Sequence, residues 1–108
     1  MTQQHTGLTI ESWGAMPFLK RVANIGSEVH RAINWKEKSN NEYADLAFNR
    51  ALELFDFTLQ TKLTYSQLRE LCRLREAWVD YYKYDNIYKT DAKFWENYFN
   101  YITVRALM

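Results

Sequence analysis

Beyond Pro17 the chain contains one glycine, Gly26, and no further proline; the remaining glycines, Gly7 and Gly14, stand ahead of it. Hairpins and β-rich folds need a turn residue every few positions, because reversing the chain calls for positive φ or a fixed φ. A stretch this poor in both is expected to fold into long helices, whose interiors exclude Gly and Pro. With 108 residues, 47% of them apolar and 25% charged, the chain has enough material for one ordinary core. The expected architecture is an all-α, compact up-and-down bundle of about four helices over residues 16–108, preceded by a loose tail and turn over 1–15.

The helix limits follow from punctuation. Proline tolerates the first helical turn, so the first helix is predicted to begin near Pro17 and to stop near Ser39, with Phe18, Val22, Ile25, Val29, Ala32 and Ile33 forming its apolar stripe. Asn40 and Asn41 can cap a second helix that runs to about Gln60, with Ala44, Ala47, Phe48, Ala51, Leu52, Leu54, Phe55 and Leu59 on one broad face that Leu46 and Phe57 extend. This helix is expected to be the most enclosed. Thr64 with Gln67 three residues later matches a capping box, which predicts a third helix to about Tyr82. Its buried arc is Leu68, Leu71, Cys72, Leu74, Trp78, Val79 and Tyr82, and Arg69, Arg73, Glu76 and Asp80 form the opposite, solvated side. After a tyrosine-rich connection over 83–89, Thr90 and Asp91 open a fourth helix to about Leu107.

Several function classes lack the residues they need. Only His5 and His30 are present, and His5 lies in the expected tail, so neither a Ser-His-Asp nor a Cys-His constellation can be assembled. Glu28 and His30 are two apart and point to different helix faces, unlike the Glu-x-x-His pairs of di-iron bundles. The glycines are isolated, which leaves no phosphate loop. No catalytic residue, metal site or cofactor is therefore expected. Fourteen Lys and Arg against thirteen Asp and Glu give no basic surplus for nucleic acid. The lone Cys72 cannot form an intrachain disulfide and reads as a small core residue. No apolar run is long enough for a membrane span, and Met1 to Thr9 lack the layout of a signal peptide, which points to the cytoplasm.

Two features invite a functional reading. Arg50 falls between Tyr43, Leu46, Leu54 and Phe57 on the helical wheel, and Arg75 between Leu68, Leu71, Val79 and Tyr82, so both are drawn inward. A buried guanidinium needs a carboxylate, and Glu53 and Glu28 are the natural partners. The four residues form either an interhelical ion-pair network that fixes register or an anchor for a carboxylate or phosphate ligand. The second feature is a candidate interface. Arg21, Asn24, Glu28, Arg31 and Trp35 lie on a flank of the first helix, where a large aromatic beside Arg and Asn can act as an interface anchor or as the edge of the core. On the fourth helix the apolar arc from Tyr101 through Phe94, Tyr98, Ile102, Trp95 and Ala106 to Phe99 covers about 160°, wider than one bundle contact requires, so it either meets a partner, with Trp95, Tyr98 and Phe99 at the interface, or is covered by the tail and the turn at Trp13. His30 sits on the other flank of the first helix, as a solvated or hydrogen-bonded residue.

The strings Ala23-Asn24-Ile25-Gly26-Ser27-Glu28-Val29, Arg50-Ala51-Leu52-Glu53-Leu54 with Asp56, Thr58 and Leu59, and Leu68-Arg69-Glu70-Leu71-Cys72-Arg73 with Arg75 and Glu76 resemble a family of small bacterial helical proteins without an assigned activity. The resemblance spans roughly Val22 to Tyr82 and implies bacterial origin and a helical fold, with no activity or cofactor. A looser similarity is to the helical nucleotide-binding domains that accompany minimal nucleotidyltransferases. The Arg-then-His pattern of the nuclease members has no counterpart here. The expected function is a non-enzymatic module for self-association, as a homo-oligomer, or for docking on another protein. The alternative is a small-molecule or nucleotide-binding domain that uses Arg50, Arg75 and Glu28 beside a partner enzyme.

Overall fold

A computed structural model of the chain describes residues 10–107, and all of its regular elements are helices: α1 (Ile10–Gly14), α2 (Phe18–Glu37), α3 (Asn41–Leu59), α4 (Tyr65–Lys83) and α5 (Ala92–Ala106). The four long helices run alternately up and down. Trp35 meets Tyr43 across α2 and α3 while Glu28 meets Arg50; Tyr82 meets Asp45 across α4 and α3 while Arg75 meets Asp56. No described helix is long and apolar enough to cross a membrane.

Each long helix begins where its cap lies in the sequence. Asn40 accepts from Tyr43 N at 3.1 Å, Thr64 and Gln67 close both bonds of a capping box, and Asp91 accepts from Phe94 N at 2.7 Å. The end of α2 is a full Schellman turn: Ser39 N bonds Lys36 O and Asn40 N bonds Trp35 O, with Ser39 held at φ 61° in a position that usually falls to glycine. The expected tail is corrected at its last residues. Residues 1–9, with His5, lie outside the described residues, but Ile10–Gly14 form a short helix instead of a turn. Trp13 of this helix is buried, and its indole N–H donates to Thr58 Oγ1 at 2.7 Å, which fastens α1 to the end of α3.

A run of aromatic rings crosses the interior. Phe48 of α3 stacks on Tyr82 of α4 with centroids 4.3 Å apart, Trp78 lies within 6 Å of Phe48, Tyr82 and Trp95, and Trp95 continues to Phe99 along α5. Trp95 and Phe99 are therefore core residues, not interface residues: that part of the wide arc of α5 is used on α2 and α4, and Tyr101 and Val104 stay exposed. Cys72 is also corrected, because it faces solvent one residue past buried Leu71, and Leu68 and Leu46 are exposed as well. Asp80 is not part of a solvated side. It is buried, its Oδ2 accepts from Tyr88 N at 3.0 Å, and its backbone oxygen accepts from Tyr84 and Asn86, so it knits the connection into α5. Three hydrogen bonds join Asn86 and Thr90, and Thr90 Oγ1 in turn accepts from the Trp95 indole at 3.0 Å.

Gly26 is required by the contact between α2 and α5. A Cβ built there would lie 2.6 Å from Phe99 Cγ and 2.8 Å from Phe99 Cβ. The second atom is fixed to the backbone, so α5 itself would have to move. Gly26→Ala gains up to about 1 kcal/mol of helix propensity but overpacks a filled contact, at a cost of about 1–3 kcal/mol. The expected outcome is a lower denaturant midpoint for Gly26→Ala, whereas a stabilised variant would show that α5 yields freely.

Candidate functional site

The four expected polar-network residues separate into two unequal pairs. Glu28 is buried on α2, with Oε2 accepting from Arg50 Nε at 3.1 Å and Oε1 from Arg31 Nη1 at 2.7 Å. One buried carboxylate thus holds guanidinium groups from two helices. Arg75 is not part of this group, because its Nε donates to Asp56 Oδ1 at 3.0 Å. Neither arginine is as buried as expected: their side chains are 32% and 35% exposed. Each follows its long stem out to the rim of a helix pair. Glu53 is buried on α3 and bonds neither arginine within salt-bridge distance. The arginine that is buried comes instead from the flank of α2 read as a candidate interface. Arg21 donates to Thr61 Oγ1 at 2.6 Å and lies over the Phe18 ring; its Nε has no hydrogen-bond partner, and burial pushes its pKa below the ordinary value.

The candidate interface residues are likewise divided. Asn24 and Arg31 are exposed, and Trp35 is half-buried with Tyr43 edge-on at 5.0 Å and the Lys38 ammonium 5.3 Å above its ring. Tyr98 is half-buried and donates to Glu70 Oε1 at 2.9 Å. His30 is exposed and hydrogen-bonded to Asn34.

Three grooves flank α5. A polar one of about 380 Å³ lies between α2 and α5, over Gly26, Trp95 and Phe99, with His30, Asn34, Glu96 and Asn100 along its sides. An apolar cleft of about 320 Å³ lies on the other side, between Phe18, Leu19 and Val22 of α2, Leu71 and Leu74 of α4, and Tyr98, Tyr101 and Ile102 of α5. A shallow one of about 440 Å³ lies near the α5 C-terminus against Met16, Pro17 and Lys20. Neither Arg50 nor Arg75 lines any of them. Comparison with protein-family models, with curated proteins and with solved structures gave no match to this chain.

The ion pairs carry unequal weight. Glu28→Gln removes a buried charge that two arginines share, but both arginines can turn to water. The expected loss is therefore about 1–2 kcal/mol, below that of a fully enclosed pair. Arg75→Ala leaves a half-exposed Asp56 and should cost under about 1 kcal/mol. Equal losses in urea titrations of the two variants would contradict this ranking.

Tyr82 and Tyr98 set an alkaline limit. Both phenols are pushed above their ordinary value, first by burial and then by the carboxylates that accept from them, Asp45 and Glu70. A raised folded pKa means that the folded chain keeps protons which the unfolded chain releases above about pH 10. The stability these groups contribute is complete below that pH and is lost as pH rises above it. The urea midpoint is expected to fall above pH 10, and less so in the Tyr82→Phe and Tyr98→Phe double variant; identical pH profiles would refute the assignment.

Proposed function

We propose that the protein is a non-enzymatic interaction module of the cytoplasm that self-associates through the outer face of α4 and α5. The observation that carries this is the apolar cleft between α2, α4 and α5 together with the apolar ridge beside it. Val22, Leu71, Leu74 and Ile102 form the cleft, and Tyr101 stands on its rim, 61% exposed. Val104, three residues on along α5, and Leu68, three residues before Leu71 on α4, extend the exposed apolar surface. A hole and a ridge on one face are self-complementary: a two-fold axis through that face sets the ridge of each copy in the cleft of the other. An apolar patch of this kind is what soluble monomers avoid.

The nucleotide-binding alternative needed arginines converging on a pocket. Arg50 and Arg75 are instead committed to different acids at different helix pairs, so that reading has no observation in its favour.

Static light scattering at high micromolar concentration is expected to give about twice the mass of one chain. Tyr101→Glu and Leu68→Glu place charges on exposed positions that leave the core intact, and each should return the protein to one chain with its helical circular dichroism unchanged. A strict monomer across that range, or a dimer indifferent to both substitutions, would sink the proposal.

A further inference from the structure

Two rows of polar side chains face each other across the α2–α5 groove, and no bond joins them. On α2, Ser27 Oγ turns back to Ala23 O, and Asn34 Nδ2 pairs with His30 Nε2 at 3.0 Å. On α5, the side chains of Glu96 and Asn100 are engaged in no hydrogen bond or ion pair among the described residues. Gly26 and Phe99 bring the helix axes close, yet Ser, Asn and Thr side chains are too short to close the gap above that contact. What remains is a groove of about 380 Å³ with an apolar floor and unfilled donors and acceptors on its walls. That volume lies within the usual range of small-ligand sites, roughly 300–1,000 Å³.

The charges select the ligand. Glu37 of α2 and Glu96 of α5 line the groove without an ion-pair partner among the described residues. The one guanidinium among the residues that line it, Arg31, is turned to Glu28 at 2.7 Å, a carboxylate it shares with Arg50, so a single, partly offset positive charge stands against the two carboxylates of the groove. At the same end burial, and after it the carboxylates of Glu37 and Asp91, push the Tyr81 phenol above its ordinary value. An ammonium or guanidinium offers several donors and no acceptor. It therefore matches two carboxylates and two carboxamide oxygens where an anion would not.

We propose that this groove binds a small organic cation, an ammonium or guanidinium on a short alkyl chain, held between Glu37 and Glu96 with Asn34 and Asn100 accepting its remaining hydrogen bonds. The site lies on the opposite side of α5 from the apolar cleft, so it stands independently of self-association.

The test is a titration of ¹⁵N-labelled protein with 1,4-diaminobutane, and in parallel with 1,4-butanediol, which keeps the length and removes the charge. The side-chain amide signals of Asn34 and Asn100 should shift saturably with the diamine and stay still with the diol. Glu37→Gln and Glu96→Gln, both at exposed positions, should each weaken the diamine about tenfold, the size of one lost charge-assisted hydrogen bond. Glu42→Gln, remote from the groove, should leave the titration unchanged. Three results would overturn the site: no saturable shift of the two amides at millimolar diamine, an equal response to the diol, or a diamine response that survives both glutamate substitutions.

Discussion

The seating of α5 on α2 at Gly26 is the contact on which the remaining architecture depends. With no Cβ at that position, the Phe99 ring lies directly on the α2 backbone, and Trp95, one turn away on the same side of α5, is carried into the interior against Trp78. Trp78 then bridges to Phe48 and Tyr82, so the aromatic run that fills the bundle is indexed from this one approach. The connection before α5 is built to the same end. Buried Asp80, Asn86 and Thr90 hold the loop, and Thr90 takes the Trp95 indole proton. A helix of fifteen residues would be marginal by itself; here it is anchored by a cap, an indole hydrogen bond and two buried rings.

Polar groups inside the bundle are handled in two ways. Glu28 is satisfied by two arginines whose stems reach it from α2 and α3, which keeps the charge centre at a helix seam instead of deep in the core. Arg21 has no carboxylate among the described residues within salt-bridge distance and rests on a threonine hydroxyl and an aromatic ring. Desolvation by burial pushes its pKa below the ordinary value.

The helix limits were legible because caps are local: Asn40, Thr64 with Gln67, and Asp91 each act within four residues of themselves. The core faces of α2 and α3 were legible because their apolar stripes are unbroken. Legibility failed where a decision depended on a distant segment. Arg21 reads as a flank residue until the end of α3 brings Thr61 to it, and α1 contains too few residues to show a period. The surplus arc of α5 was real, but Trp95 and Phe99 were assigned to an interface because a helical wheel gives the width of an arc and not the number of neighbours that share it. Arg75 chose Asp56 over Glu53 for a similar reason. Both acids lie on α3, yet only the rim position is within reach of a guanidinium that stays partly in water. The polar groove had no signature in the sequence at all, since Asn34, Glu37, Glu96 and Asn100 become neighbours only when two helices far apart in the chain run antiparallel.

The grooves on either side of α5 therefore share one cause. A helix seated on a glycine contacts its neighbour along a line, and the side chains that diverge from that line decide what each flank becomes: short polar residues leave an open polar groove on one, and Leu, Ile and Tyr leave an apolar cleft on the other. Because Phe99 is locked against backbone on the α2 side and Trp95 is enclosed by rings on the α4 side, α5 cannot slide without breaking close packing. A helix fixed in this way acts as a rigid partition. Coupling between two sites requires an element with two arrangements that both sites can bias; with α5 packed as it is, a ligand in the polar groove and a second copy in the apolar cleft, if they bind as proposed, would meet no such element in this helix.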